Sequence, residues 1–196
     1  MKQFIKITSR IVPLPIENVD TDQIIPARFL KDTSKIGYKK YLFHDWRFDA
    51  DGKPKAEFVL NNPTYTGEIL LAGKNFGSGS SREHAAWAIA DYGFRVVISS
   101  YFADIFKNNA MNNGVLPIVV SEAFLAELFE TVGENVSMTI SIDLPNQEVK
   151  NNTTGNSEHF EINPYKKECF LNGFDDIDYL LSKKDLIEEY EQKRDF

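Results

Sequence analysis

Residues 75–85 have the sequence NFGSGSSREHA, in which a loop with two glycines leads directly into a helical pattern. The run before it, Glu68–Ala72, is short and apolar like a buried strand, and the helical pattern Ser81–Tyr92 ends at Gly93. A strand, a loop and a helix in this order are the repeating unit of a parallel α/β sheet. Such sheets bind ligands at the carboxyl ends of their strands, so this loop lies where a site is expected.

Strand-like and helix-like runs alternate on both sides of this loop. The predicted strands are Phe4–Val12, Glu68–Ala72, Arg95–Ser99, Leu116–Val120 and Val136–Ile142, and the predicted helices are Ser81–Tyr92, Ala103–Asn113 and Ser121–Val132. A short helix is predicted within Ser34–Phe43 and a hairpin within Trp46–Leu60, around Asp51-Gly52. We therefore expect one α/β domain over residues 1–196, with a mostly parallel sheet flanked by helices, extra β-hairpin structure and a helical tail from about residue 175.

The residue types in the loop suit a bound anion. Gly77 and Gly79 let the backbone turn tightly and let a ligand approach it closely. A helix start carries unpaired N–H groups and partial positive charge. The hydroxyls of Ser80 and Ser81 and the guanidinium of Arg82 add further donors, so the loop predicts a seat for a carboxylate or a phosphate.

The same residues also fit a purely structural role. Ser80 and Glu83 have the spacing of a capping box, in which Ser80 would only start the helix and Arg82 would be a solvated charge. The loop lacks the third glycine of the dinucleotide fingerprint and the lysine of a P-loop. On these residues alone, a phosphate-binding nest and a non-catalytic regulatory binder both stay open.

Composition limits the classes of partner and cofactor. The net charge is −7 and no basic stripe is present, so a nucleic-acid partner is not expected. No apolar run is long enough to cross a bilayer, and the first residues do not form a signal peptide, so we expect no membrane association and a cytoplasmic location. The single cysteine, Cys169, and three scattered histidines predict no metal site, since an iron–sulfur cluster takes about four thiolates.

Four segments together resemble one known family. Residues 75–85 resemble the serine-rich motif of the swivelling domain in the aconitase superfamily. The sequence NVDTDQIIPARFL at residues 18–30 is similar to the N-terminal signature of the small subunit of bacterial 3-isopropylmalate dehydratase. Residues 41–48 and 101–118 fit the same family in order and spacing. The resemblance covers about the first two thirds of the chain and implies the β/β/α swivelling fold of the aconitase type.

The resemblance also implies an activity. Members of the family form a hydro-lyase that interconverts 2-isopropylmalate and 3-isopropylmalate through 2-isopropylmaleate, in leucine biosynthesis. A large subunit carries the [4Fe–4S] cluster, and the small subunit supplies the proton base and the carboxylate anchors in a heterodimer or higher assembly. The small dicarboxylate is thus the expected substrate. A related subunit for homoaconitate or a methylmalate is the alternative, with selectivity placed between Lys31 and Thr66.

Aligning the serine motif transfers roles to individual residues. Ser80 falls on the catalytic base, acting as an alkoxide that local positive charge must stabilise. Ser81 and Arg82 fall on substrate-binding positions, and Arg28 is a further substrate-binding candidate. The residues expected to support the site are Asp22, Asn75, Gly77, Gly79, Glu83 and His84, although His84 also fits a structural histidine in the first helical turn. Ser78 is given no role.

Overall fold

A seven-stranded sheet runs through the computed structural model of the protein, which describes residues 1–30 and 36–193. The strands are β1 (Lys6–Leu14), β2 (Ile69–Ala72), β3 (Val96–Ser99), β4 (Leu116–Val119), β5 (Thr139–Asp143), β6 (Glu148–Asn151) and β7 (Ser157–His159). The helices are α1 (Thr21–Ile24), α2 (His44–Arg47), α3 (Glu83–Tyr92), α4 (Asp104–Asn112), α5 (Glu122–Glu134), α6 (Pro164–Asn172), α7 (Asp176–Ser182) and α8 (Lys184–Gln192). Short 3₁₀ helices cover Ala27–Phe29, Tyr38–Lys40 and Val59–Asn61.

The sheet has a parallel half and an antiparallel half that meet at β1. The strand order is β4-β3-β2-β1-β5-β6-β7. The pairs among β1, β2, β3 and β4 are parallel, with Ile11 opposite Ile69 and Val96 opposite Leu116. The pairs from β1 through β5 and β6 to β7 are antiparallel. The predicted α/β class is confirmed, and the sheet is more evenly mixed than the mostly parallel sheet that we expected.

The predicted strands and helices on either side of the serine loop are confirmed, with ends that shift by a few residues. The strand predicted for Phe4–Val12 continues to Leu14, although we expected the prolines that follow to break it. Pro13 is tolerated because β1 pairs with β5 only over Lys6–Arg10, so at Pro13 the strand has a ladder partner on one side only. The tail forms α7 and α8, as predicted for one or two amphipathic helices.

The prediction of a hairpin within Trp46–Leu60 is wrong. The turn at Asp51-Gly52 forms, because the Asp49 carboxylate accepts from the backbone of Asp51 and Lys53. Its arms contribute only one antiparallel bridge, between Phe48 and Pro54. Pro54 cannot donate to a ladder, and the nearby aromatic rings stack in a cluster instead of alternating across a strand.

The extra β-hairpin structure lies elsewhere, in β5, β6 and β7. The turn between β6 and β7 coincides with the polar cluster of residues 151–157, whereas β6 and β7 themselves were not predicted. These two strands are short and largely polar, so they carry little hydrophobic pattern. The helix α6 was not predicted either. A short helix was predicted for Ser34–Phe43. The structure describes residues 36–43 of this range, and within them the only helical element is the 3₁₀ helix Tyr38–Lys40.

Successive side chains of the strands point to opposite faces of the sheet and pack into two hydrophobic clusters, one on each face. On β2, Ile69 and Leu71 join the cluster under α5, and Leu70 and Ala72 join the cluster under α3 and α4. Both faces of the parallel half are therefore covered, as buried parallel strands require. The strand ends that carry the serine loop are thus held by packing on both sides. Of the helices in the described residues, none is both long and apolar enough to span a bilayer.

Candidate active site

The serine loop sits at the carboxyl end of β2, as the strand–loop–helix pattern predicted. It occupies residues 73–82, between the end of β2 and the start of α3. Its backbone is paired with the segment that follows β3: Phe76 N–H donates to the Tyr101 carbonyl at 3.2 Å, and Ala103 N–H donates to the Phe76 carbonyl at 3.2 Å. The loop is therefore an extension of the parallel sheet, which fixes its position.

The N-terminal signature lies directly against this loop. The Gly77 N–H donates to the Val19 carbonyl at 2.8 Å, and the Thr21 N–H donates to the Ser78 carbonyl at 2.9 Å. The Thr21 hydroxyl, which is buried, donates to the Ser80 carbonyl at 2.8 Å. The two sequence motifs that were predicted separately thus form one unit, and the main chain of Ser80 is fixed by it.

Two of the predicted supporting residues are glycines that this arrangement requires. Gly77 has φ of +79°, and a Cβ there would lie 2.2 Å from Cγ of the buried Phe106. Gly79 has φ of +90° and faces Asp20. L side chains rarely adopt such backbone conformations. Asn75 is also left-handed, with φ of +61°, and its amide donates to the Asn18 side chain at 2.9 Å.

The structure contradicts the capping-box alternative. Helix α3 begins at Glu83, two residues later than predicted, its N-cap residue is Arg82, and no side chain caps it. The Glu83 carboxylate instead accepts from Trp87 Nε1 at 3.1 Å and from Asn113 Nδ2 at 3.0 Å. Ser80 and Ser81 precede the cap and are exposed. Their hydroxyls are therefore presented at the surface of the loop, close to the positive end of α3.

Arg82 is held by Asp22. Their side chains form an ion pair and a hydrogen bond between Nη1 and Oδ1. The Arg82 side chain is 17% exposed and that of Asp22 is 55% exposed, so the guanidinium is mostly covered while its partner faces solvent. A guanidinium has five N–H donors, and one carboxylate oxygen leaves others for a ligand. Asp22 therefore lies beside the serine loop, and its supporting role in a site stays a prediction.

The loop and the start of α4 enclose a cleft of about 330 Å³. Its polar wall is formed by Thr21, Asn75, Ser80 and Arg82, and its apolar wall by Tyr101, Ala103, Ile105 and Phe106. The acidic residue Asp104 interrupts the apolar wall. This volume is at the small end of the range for ligand sites, and it suits a small acid. A larger hollow of about 610 Å³ lies between α4 and the segment before α6, around Lys107 and Glu161. The predicted site residues do not line that hollow.

Five predicted residues do not line the cleft: Asp22, Arg28, Ser81, Glu83 and His84. Asp22 pairs with Arg82, Glu83 pairs with Trp87 and Asn113, and Ser81 lies exposed beside Arg82. The Arg28 guanidinium is paired with Asp45, and this hydrogen bond holds the pKa of the Asp45 carboxyl below its usual value. His84 packs its ring against Trp87, with centroids 4.4 Å apart, and against Tyr38, at 5.5 Å. Its packing fits the structural alternative for His84, and a substrate-binding role for Arg28 stays a prediction.

Sequence reasoning missed Thr21 and the apolar wall of the cleft. Thr21 stands between two aspartates in the N-terminal signature, so it was available as a candidate, but its anchoring of Ser80 depends on a contact across 59 positions. Tyr101 and Ile105 belong to a segment that we had recognised, yet side-chain direction at the end of a strand is not visible in the sequence.

The described residues contain no group of three His, Cys, Asp or Glu side chains that could hold a metal ion. Cys169 is buried in α6, and burial raises the pKa of its thiol. Because the thiolate is the form that binds metals, this environment works against ligation by Cys169.

Known proteins match the chain along its whole length. The family described as Aconitase C-terminal domain matches residues 1–123, and the family LeuD_N matches residues 126–164. The 3-isopropylmalate dehydratase small subunit of Azobacteroides pseudotrichonymphae is 65% identical, covering 100% of both chains. The protein of the same name from Cytophaga hutchinsonii is 62% identical, covering 98% of this chain and 96% of the relative. A crystal structure of 3-isopropylmalate dehydratase from Methanocaldococcus jannaschii aligns with a TM-score of 0.65 at 28% identity, over 95% of this chain and 99% of that one.

Proposed function

Because the chain belongs to the family of 3-isopropylmalate dehydratase small subunits, we propose that it works with a large subunit as a hydro-lyase. The enzyme interconverts 2-isopropylmalate and 3-isopropylmalate by removing and re-adding water through 2-isopropylmaleate, a step of leucine biosynthesis. The observation that carries the proposal for the site is the meeting of Ser80 and Arg82 in one small cleft. That cleft combines a surface hydroxyl with a fixed cation, as a hydroxy dicarboxylate requires.

Arg82 is proposed to bind a substrate carboxylate. Its guanidinium is mostly covered and is oriented by Asp22, so little side-chain freedom is lost when a ligand binds. The planar group presents paired N–H donors that match the two oxygens of a carboxylate. The adjacent hydroxyl of Ser81 is exposed and is proposed to donate to the same ligand.

Ser80 is proposed to take the proton that leaves carbon during dehydration and to return it during hydration. Its main chain is fixed through Thr21, and its side chain does not cap α3. A serine alkoxide needs nearby positive charge, which the start of α3 and Arg82 supply. The Glu83 carboxylate would oppose an alkoxide, but Trp87 and Asn113 donate hydrogen bonds to it and hold it.

The large subunit is proposed to carry the [4Fe–4S] cluster, because this chain has one cysteine and such clusters take about four thiolates. The cluster would supply a Lewis acid for the substrate hydroxyl. The present chain would contribute the proton base and the anion contacts, as one swivel-type domain that closes over the partner. We further propose that the assembly is a cytoplasmic heterodimer or a higher oligomer of it.

Reconstitution tests this function. The chain and its large subunit are purified separately, and the conjugated alkene of 2-isopropylmaleate is followed by ultraviolet absorbance. We expect the isolated chain to be colourless, free of iron and inactive, and activity on 3-isopropylmalate to rise with added large subunit until the two are equimolar. Turnover by the isolated chain, or a stoichiometric cluster within it, would contradict the proposal, as would an active assembly that prefers homoaconitate or methylmalate.

A further inference from the structure

Polar and apolar residues both line the cleft, and only the polar wall has a role so far. Besides Ser80 and Arg82, the cleft is lined by Tyr101, which follows β3, and by Ile105, which lies next to Asp104 in the first turn of α4. Each of these two side chains is 51% exposed. Large apolar side chains that face water beside a functional cleft mark a surface that a ligand or a partner covers.

The main chain of the apolar wall is tied to the serine loop. The Tyr101 carbonyl accepts from the Phe76 N–H at 3.2 Å and from the Ser99 hydroxyl at 3.0 Å, so the main chain at Tyr101 is fixed to the serine loop. Ile105 is followed by Phe106, whose buried ring lies directly beneath Gly77. The main chains of both walls are therefore positioned by the same set of contacts.

The chemistry of the substrate matches this division. A malate with an isopropyl substituent has two carboxylates and one branched alkyl group on a short carbon skeleton. When a carboxylate lies at Arg82, the alkyl group has to lie within a few ångströms of it, inside the same cleft of about 330 Å³. The polar wall offers no apolar surface for that group, and the opposite wall does.

We propose that Tyr101 and Ile105 form the contact surface for the isopropyl group and select substrates with a branched alkyl substituent. The inference rests on the proposed function and deepens it, because it adds a contact surface for the alkyl group outside the segment Lys31–Thr66, where the sequence placed selectivity. A substrate that covers these side chains would remove their apolar surface from water, which favours binding.

The test uses the assembled enzyme with Ile105→Ala or Tyr101→Ala. Isopropylsuccinate and methylsuccinate, which lack the hydroxyl and do not react, serve as competitive inhibitors. We expect Ile105→Ala to weaken inhibition by isopropylsuccinate about 10-fold, the low end for losing a methylene contact, and to change inhibition by methylsuccinate much less. Ile5→Ala is the matched control, since Ile5 is 46% exposed and does not line the cleft.

Other outcomes separate the possibilities. Equal weakening of both inhibitors, or no change in either, would overturn the inference while leaving the proposed function intact. The inference would also be overturned if the only effect of the variants were a higher concentration of large subunit at half-maximal activity. The two side chains would then belong to the interface between the subunits. If Ile105→Ala fails to fold, Ile105→Val should give a smaller shift in the same direction. An assembled wild-type enzyme without activity on 3-isopropylmalate would remove the proposed function itself.

Discussion

The carboxylate of Asp22 is paired with the guanidinium of Arg82, across 60 positions of sequence. The pair joins α1, in the N-terminal signature, to Arg82 at the N-cap position of α3. Both segments are also joined through the Thr21 hydroxyl and the Ser80 carbonyl. Orientation of the cation and placement of the candidate base therefore depend on the same short helix.

Replacing Arg82 with lysine should raise KM for 3-isopropylmalate and lower kcat in the assembled enzyme, although the charge is kept. Lysine has no planar fork with which to bind a substrate carboxylate and Asp22 together. Steady-state kinetics measure the effect, with Arg10→Lys on β1 as the control, because Arg10 is exposed and does not line the cleft. Unchanged kinetics for Arg82→Lys would reduce Arg82 to a structural residue.

Replacing Ser80 with alanine should lower kcat by several orders of magnitude, as expected for the loss of a general base. The melting temperature of the isolated chain should hardly change, because Ser80 does not cap α3. A lost cap would instead cost about 0.5–2 kcal/mol. Ser78→Ala, in the same loop, is the control and should keep near-normal turnover. If Ser80→Ala keeps near-native turnover, another residue must be the proton base, and Ser81 would be the first candidate.

Replacing Gly77 with alanine should destabilise the isolated chain more than replacing Gly155. Both residues have positive φ, which costs a non-glycine residue about 1–2 kcal/mol. At Gly77 the added Cβ would also meet Phe106 at 2.2 Å, whereas no atom lies within 4 Å of a Cβ at Gly155 among the described residues. Thermal or denaturant unfolding compares the two variants directly. Equal losses would show that the packing of Phe106 adapts to the extra methyl group.

Replacing Asp176 with asparagine should lower the melting temperature at neutral pH. Lys166 donates to Asp176 at 2.7 Å and Tyr165 also donates to it, which holds the pKa of this carboxyl below its ordinary value of 3.8. A lowered pKa contributes stability above the unfolded-state value, and this contribution disappears as pH falls through the folded-state value.

The difference between the wild type and Asp176→Asn should therefore be about 1 kcal/mol or less at pH 7, since the side chain is 56% exposed. It should shrink once the pH falls below the ordinary carboxyl pKa of 3.8 and through the lower folded-state value. Thermal unfolding at a series of pH values measures it. Glu188→Gln, which removes one exposed ion pair within α8, is the control and should change the melting temperature little at any pH. A difference for Asp176→Asn that persists at acid pH would point to lost packing instead of lost charge.

The sequence was most informative where structure is local. The turn glycines, the end of α3 at Gly93 and the strands flanking the loop follow from short-range periodicity and backbone preference, and these predictions are confirmed. The pairing of Asp22 with Arg82 was not readable in detail, because it depends on how two distant segments meet. The pairing of Arg28 with Asp45 was not predicted either, and a substrate-binding role for Arg28 stays untested.

The hydroxyl of Thr21 has a consequence for how the cleft depends on distant parts of the chain. Its bond to the Ser80 carbonyl spans 59 positions, so it requires the chain between α1 and the serine loop to close, as the pairing of β1 with β2 also does. Closing such a loop costs conformational entropy, which the contacts at both ends have to offset. The position of Ser80 therefore depends on the assembled sheet and not on its own segment alone.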